Sequence, residues 1–131
     1  MDINWAPILF TGLLILILFV IVYMRRGTMK KNVTYLNEQA FASLMRKGQL
    51  IDIRKKDEFN KGHINGARNL PFTQLNRSFN KLRSDQPIYL VCANGKASKR
   101  ATMFLISKNF THIYALEGGM TSWSKPLKTK K

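Results

Sequence analysis

Between Ala6 and Met24 the chain reads APILFTGLLILILFVIVYM, a run without a single charge, broken only by Pro7, Thr11 and Gly12. Its length is that of a helix crossing a hydrocarbon layer of ~30 Å. In a chain of 131 residues this leaves roughly 90 to 100 for everything else, enough for one ordinary domain core. A buried core helix would need a covering layer that so short a remainder does not supply. A secretory signal would place positive charge before the run and small residues after it, whereas Asp2 precedes it and Val22, Tyr23 and Met24 close it. The run is therefore expected to be a transmembrane helix, with Trp5 and Tyr23 at the headgroup levels.

Arg25, Arg26, Lys30 and Lys31 follow the run, and an excess of Lys and Arg marks the side kept in the cytoplasm. The N-terminus is thus expected outside a cell membrane and the remaining chain inside. Cys92 is the one cysteine, so no internal disulfide forms, in keeping with a reducing compartment. The net charge of +15 invites a nucleic-acid reading, but eight of the 22 cations flank the domain. Residues 32–124 hold 14 cations against six acids, a balance of +8, with no aromatic-rich RNA-binding signature. Anionic headgroups explain such charge at about 1 kcal/mol per nearby cation. The expected partner is membrane lipid, through residues 6–24 and the flanking cations, and not nucleic acid.

Residues 25–32 read as a polar linker that closes an anchor unit of residues 1–31. Val33, Thr34 and Tyr35 suggest a strand, and Asn37 suggests the N-cap of a helix over Glu38–Lys47 in which Phe41, Leu44 and Met45 share a face and Gly48 supplies a left-handed stop. Leu50–Ile53 reads as a strand that points Asp52 away from Ile51 and Ile53. A helical turn from Asp57 to Gly62, a turn at Asn65-Gly66 and a helical stretch from Pro71 through Leu75 follow. Ile88–Val91 is a second strand, Ser98–Lys108 a helix, Ile113–Leu116 a third strand, and Gly118-Gly119 leads to a last turn ending near Trp123. Strands alternating with helices predict an α/β domain over residues 33–127, with a small, mainly parallel sheet covered by helices on both faces, followed by a basic tail, 128–131.

Ligands in such folds gather at the carboxyl ends of strands, and Cys92 ends one in the segment IYLVCANGKASKR (Ile88 to Arg100). A thiol is a nucleophile as its thiolate, which a helix N-terminus and a neighbouring cation favour. The segment offers Cys92 both, and loop amides from Ala93 to Ser98 can curl round the sulfur as an anion-binding nest. Two histidines and one cysteine, far apart in sequence, make no metal set.

Three blocks in order, IDIRKKDEFNKGHINGARNLP (Ile51 to Pro71), YLVCANGKAS (Tyr89 to Ser98) and LEGGMTSW (Leu116 to Trp123), resemble the signatures of rhodanese-like domains, and the resemblance covers Val33 to Leu127. It implies a single rhodanese fold whose loop cysteine takes a sulfane sulfur from a donor such as thiosulfate, holds it as a persulfide and passes it to a thiophilic acceptor, a small molecule or a protein. Cys92 aligns with that nucleophile, and Ala93, Asn94, Gly95, Lys96, Ala97 and Ser98 with the cradle that binds the substrate. Asp52, Arg54 and His63 align with residues that brace the site. No cofactor is implied, because the sulfur rides on the enzyme, and a monomer is expected. Many active members carry an arginine where Ala97 stands, which leaves Lys96 as the cation within the cradle and Arg54 or Arg100 as further candidates at the mouth. Two rival readings bear on the same loop. A cysteine phosphatase or arsenate reductase needs an arginine six residues after the cysteine, where Ser98 stands. A docking module without chemistry is the role of family members that lack the cysteine, which Cys92 argues against.

Overall fold

A computed structural model describes residues 2–29 and 33–130, the side chains of 26–29 excepted. The chain divides into two compact units, Met1–Lys31 and Asn32–Lys131. In the first, α1 (Ala6–Met29) starts where Asn4 Oδ1 accepts the Ala6 N–H at 3.1 Å. Over Ala6–Arg25 its mean hydropathy is 2.7 and its side chains are exposed, so the helix is long and apolar enough to cross a membrane. It continues five residues past Met24, into what the sequence suggests is linker: Arg25, Arg26 and Met29 are good helix formers, and one glycine costs only about 1 kcal/mol. Of the flanking cations, the Arg26 side chain, Lys30, Lys31 and Lys131 lie outside the described residues.

The second unit is a five-stranded parallel sheet in the order β1-β5-β4-β2-β3, made of β1 (Val33–Leu36), β2 (Gln49–Asp52), β3 (Arg68–Asn69), β4 (Ile88–Val91) and β5 (Ile113–Leu116). Helices α2 (Glu38–Leu44), α3 (Lys56–Lys61), α4 (Leu75–Ser78) and α5 (Lys96–Ser107) join the strands. β4 is buried at every position, as an apolar run in a sheet covered on both faces must be. Its alternate side chains feed two cores. Ile88, Leu90 and Cys92 join Ile51, Ile53, Ala101 and Leu105, while Tyr89 and Val91 join Phe41, Met45, Leu50 and Leu116.

Asn37 caps α2 as its sequence position suggests, Oδ1 accepting the Ala40 N–H at 2.8 Å. The other end differs from expectation. The chain tightens into a 3-10 turn over Met45–Lys47, and Gly48 is extended at φ −153° instead of left-handed. Glycine is needed there because a Cβ would strike the Pro87 carbonyl oxygen, which accepts the Gln49 N–H at 2.9 Å. The helical stretch after Pro71 runs on through α4 to Lys81, beyond the Leu75 expected. Strand β3 has no counterpart in the sequence reading. The basic tail is bonded to the domain: Lys128 and His63 exchange backbone hydrogen bonds of 2.8 Å, and the Lys130 N–H reaches the Asn60 carbonyl at 3.0 Å. The segment before the tail is tied to α2, where the Glu38 carboxylate accepts the Ser124 N–H at 2.7 Å and its hydroxyl at 2.8 Å. These bonds hold the Glu38 carboxyl below the usual carboxylate range.

Candidate active site

Strand order locates the site before any side chain is considered. From its carboxyl end β2 leads outward to β3, while β4, its neighbour, leads the other way to β5. The crevice between two such departing connections is where open α/β sheets bind ligands. Asp52, registered with Val91, and Cys92 stand at this crevice.

Cys92 is 1% exposed. After it the chain turns through Ala93, Asn94 and Gly95 and enters α5 at Lys96, two residues earlier than the expected start at Ser98. Gly95 makes the turn at φ +91°, a left-handed conformation that suits glycine. Its N–H points at Cys92 Sγ, 2.8 Å away, and the Ser98 hydroxyl donates to the same sulfur at 2.9 Å. Two hydrogen-bond donors and the first turn of a 12-residue helix thus converge on one sulfur atom.

The loop is held from behind by the turn that follows β5. Met120 and Thr121 donate their N–H groups to the carbonyls of Cys92 and Ala93 at 2.8 and 3.2 Å. Gly119 sits at φ +62°, and a Cβ on it would strike the Cys92 carbonyl oxygen and lie 2.9 Å from Asn94 N. The paired glycines therefore allow the turn to press against the loop, with its carbonyls tied back and the Gly95 N–H free to face the sulfur.

Of the six cradle residues named from sequence, Gly95 and Ser98 reach Sγ. Ala93 and Asn94 are exposed, with Asn94 Oδ1 accepting the Lys96 N–H at 3.2 Å. The Lys96 side chain is exposed, and Ala97 packs against the core that contains Cys92.

Asp52, Arg54 and His63 assemble beside the site, not on it. Asp52 is fully buried, and Arg54 binds its carboxylate through Nε at 3.0 Å and Nη2 at 2.8 Å. The same Nη2 donates to the Gly62 carbonyl at 2.6 Å, which clamps the end of α3 to the end of β2. His63 stacks on Phe59 with centroids 3.9 Å apart and lies 2.9 Å from the Phe59 carbonyl through Nδ1. A carbonyl only accepts, so Nδ1 carries the proton. Arg54 is thereby committed to Asp52 and Gly62. Among the described residues no three His, Cys, Asp or Glu side chains gather as a metal site would require.

Three contributors escaped the sequence reading: the Ser98 hydroxyl as a donor to sulfur, the Met120 and Thr121 amides, and an open groove of about 370 Å3 against the loop, to which Tyr35, Lys99 and Glu117 contribute. The groove was signalled in one respect, because Tyr35 and Glu117 lie at the carboxyl ends of β1 and β5.

The rhodanese-like domain family model matches residues 20–126. The uncharacterized Bacillus subtilis protein YqhL is 42% identical over 124 residues, which are 95% of this chain and 94% of that protein. The thiosulfate sulfurtransferase GlpE of Shewanella oneidensis is 37% identical over 75 residues, 57% of this chain and 74% of the relative. Among solved structures, a rhodanese-related protein of Thermoplasma volcanium superposes with a TM-score of 0.68 at 26% identity, covering 72% of this chain and 97% of its own.

Proposed function

The chain belongs to the rhodanese-like domain family, and from that premise we propose that it is a sulfurtransferase working through a persulfide on Cys92. The observation that carries the reading is the convergence of the Gly95 N–H and the Ser98 hydroxyl on Cys92 Sγ at the start of α5. A thiolate held there attacks the sulfane sulfur of a donor such as thiosulfate. The S–S bond of the donor breaks, its electron pair leaves on sulfite, and Cys92 keeps the sulfur as a persulfide. A thiophilic acceptor then removes the outer sulfur and restores the thiolate. The named activity of GlpE, a relative over most of the domain, supports thiosulfate as the first donor to try. No metal or organic cofactor enters either step, and Asp52, Arg54 and His63 serve by fixing the β2 end beside the loop.

Kinetics with thiosulfate and a thiol acceptor are expected to be ping-pong, with the sulfur-loaded protein isolable between half-reactions. Cys92→Ser abolishes transfer, since a serine oxygen cannot carry a transferable sulfane sulfur; transfer undiminished in that variant refutes the reading.

The same reading sets α1 across a cell membrane with the domain cytoplasmic and monomeric. Because Cys92 is buried, orientation is best tested with Met103→Cys in a Cys92→Ser background, Met103 being 72% exposed. An impermeant maleimide should label that thiol after lysis and not in intact cells, and labelling of intact cells reverses the topology.

A further inference from the structure

The groove against the cysteine loop carries charges of both signs that leave each other unpaired. Lys96 and Lys99 reach it from α5, Glu117 from the end of β5 and Tyr35 from β1. Among the described residues the ion pairs are Arg54 with Asp52 and Arg83 with Asp85, so Glu117 closes on neither lysine. Asn94, Gly95 and Lys96 line the same groove, and the Gly95 N–H bonds Cys92 Sγ, which sets the groove against the loop that holds the sulfur.

Glu117 is the informative residue. The chain has only seven acids, and Asp52, Asp85 and Glu38 are spent on Arg54, Arg83 and Ser124. A free carboxylate at the mouth of a site that accepts a dianionic donor opposes that donor by like-charge repulsion. Its presence makes sense if the other substrate brings a positive charge. Lys96 and Lys99, in the same groove, call for a negative one.

Resting on the sulfurtransferase reading, we propose that the groove binds the acceptor as a zwitterionic thiol, an amino-acid thiol the size of cysteine. Its ammonium group faces Glu117 and its carboxylate faces Lys96 and Lys99. The exposed Tyr35 ring forms part of the wall, and about 370 Å3 accommodates a molecule of this size. In the transfer step the acceptor thiolate attacks the outer sulfur of the Cys92 persulfide, the S–S bond breaks, and its electron pair returns to Cys92 Sγ. The acceptor leaves as a persulfide, and no further oxidant or reductant is consumed.

The test uses the full chain in lipid nanodiscs with Cys92 loaded by thiosulfate or, in parallel, by inorganic polysulfide. Single-turnover transfer is compared for L-cysteine, 3-mercaptopropionate, which lacks the ammonium, and cysteamine, which lacks the carboxylate, each corrected for its thiolate fraction. L-cysteine should be the best acceptor by about tenfold, the worth of one charge-assisted hydrogen bond. Glu117→Gln should erase its advantage over 3-mercaptopropionate, and Lys99→Ala should cut its advantage over cysteamine. A readout without sulfur chemistry accompanies it: S-methyl-L-cysteine should bind the unloaded protein in calorimetry and bind both variants more weakly. Equal rates for the three thiols, or an undiminished preference for cysteine in Glu117→Gln, overturns the acceptor assignment. Loading without discrimination sinks this inference alone. Discrimination by polysulfide-loaded protein that thiosulfate fails to load sinks the thiosulfate donor and leaves the acceptor assignment standing.

Discussion

The ends of β2 and β4 lie side by side, Asp52 registered with Val91, yet they are built to opposite ends. At β2 the charges are mutually satisfied: the Asp52 carboxylate, the Arg54 guanidinium and the Gly62 carbonyl complete one another. At β4 the donors point at a single sulfur with no charged side chain among the described residues paired to it, since Gly95 N and Ser98 Oγ meet Sγ at the start of a helix. A closed network holds shape, and an open one waits for a ligand. The two motifs stand together in the family signature, but the difference in how their valences are spent separates support from chemistry.

That separation predicts effects of different kinds. Asp52→Ala should have the largest effect, and on stability: it strands a guanidinium that is only 10% exposed, and breaking a buried pair costs about 3–5 kcal/mol. Urea unfolding of the isolated domain reads it, and the fraction that remains folded should still accept sulfur. A stable Asp52→Ala protein with a dead Cys92 would move Asp52 into the chemistry. Ser98→Ala should act the other way. It removes one of two donors to sulfur, with a loss of about tenfold in the rate of persulfide formation and little change in the urea midpoint. Lys96→Ala should have the smallest effect on the rate of persulfide formation from thiosulfate. Its side chain is exposed, and an exposed charge contributes about 0.2–1 kcal/mol, which added salt should screen away. A Lys96→Ala defect that persists at high salt would show direct contact between Lys96 and the donor.

What the sequence revealed follows the same division. Strands β2, β4 and β5 and the Asn37 cap announce themselves, because apolar runs and capping side chains are local signals. Cys92 at a strand end was legible for that reason, and so was the aspartate turned away from Ile51 and Ile53. Strand β3 was not, since Arg68 and Asn69 form no apolar run; it exists because Asp52 accepts the Leu70 N–H and the Asn69 amide through its carbonyl, at 3.0 and 3.1 Å. The tail was not either, because Lys128 pairs with His63 through backbone alone. The early start of α5 depends on Gly95 adopting a left-handed φ, with no side chain to mark it. The Ser98 hydroxyl was hidden for a geometric reason: that start places Ser98 in the first turn, where its side chain and not its amide reaches the sulfur. Glu117 joins the groove only because β5 lies beside β1 and β4, a neighbourhood that exists in the sheet and not along the chain.

The claim on which the rest depends is that the sulfur at the end of β4 is a carrier. Intact-protein and peptide mass spectrometry after exposure to thiosulfate tests it most directly, because Cys92 is the only thiol. The account predicts a gain of one sulfur atom, confined to the peptide holding Cys92 and removed by a thiol acceptor. A protein whose mass is unchanged by thiosulfate, polysulfide and a persulfide donor alike would contradict it.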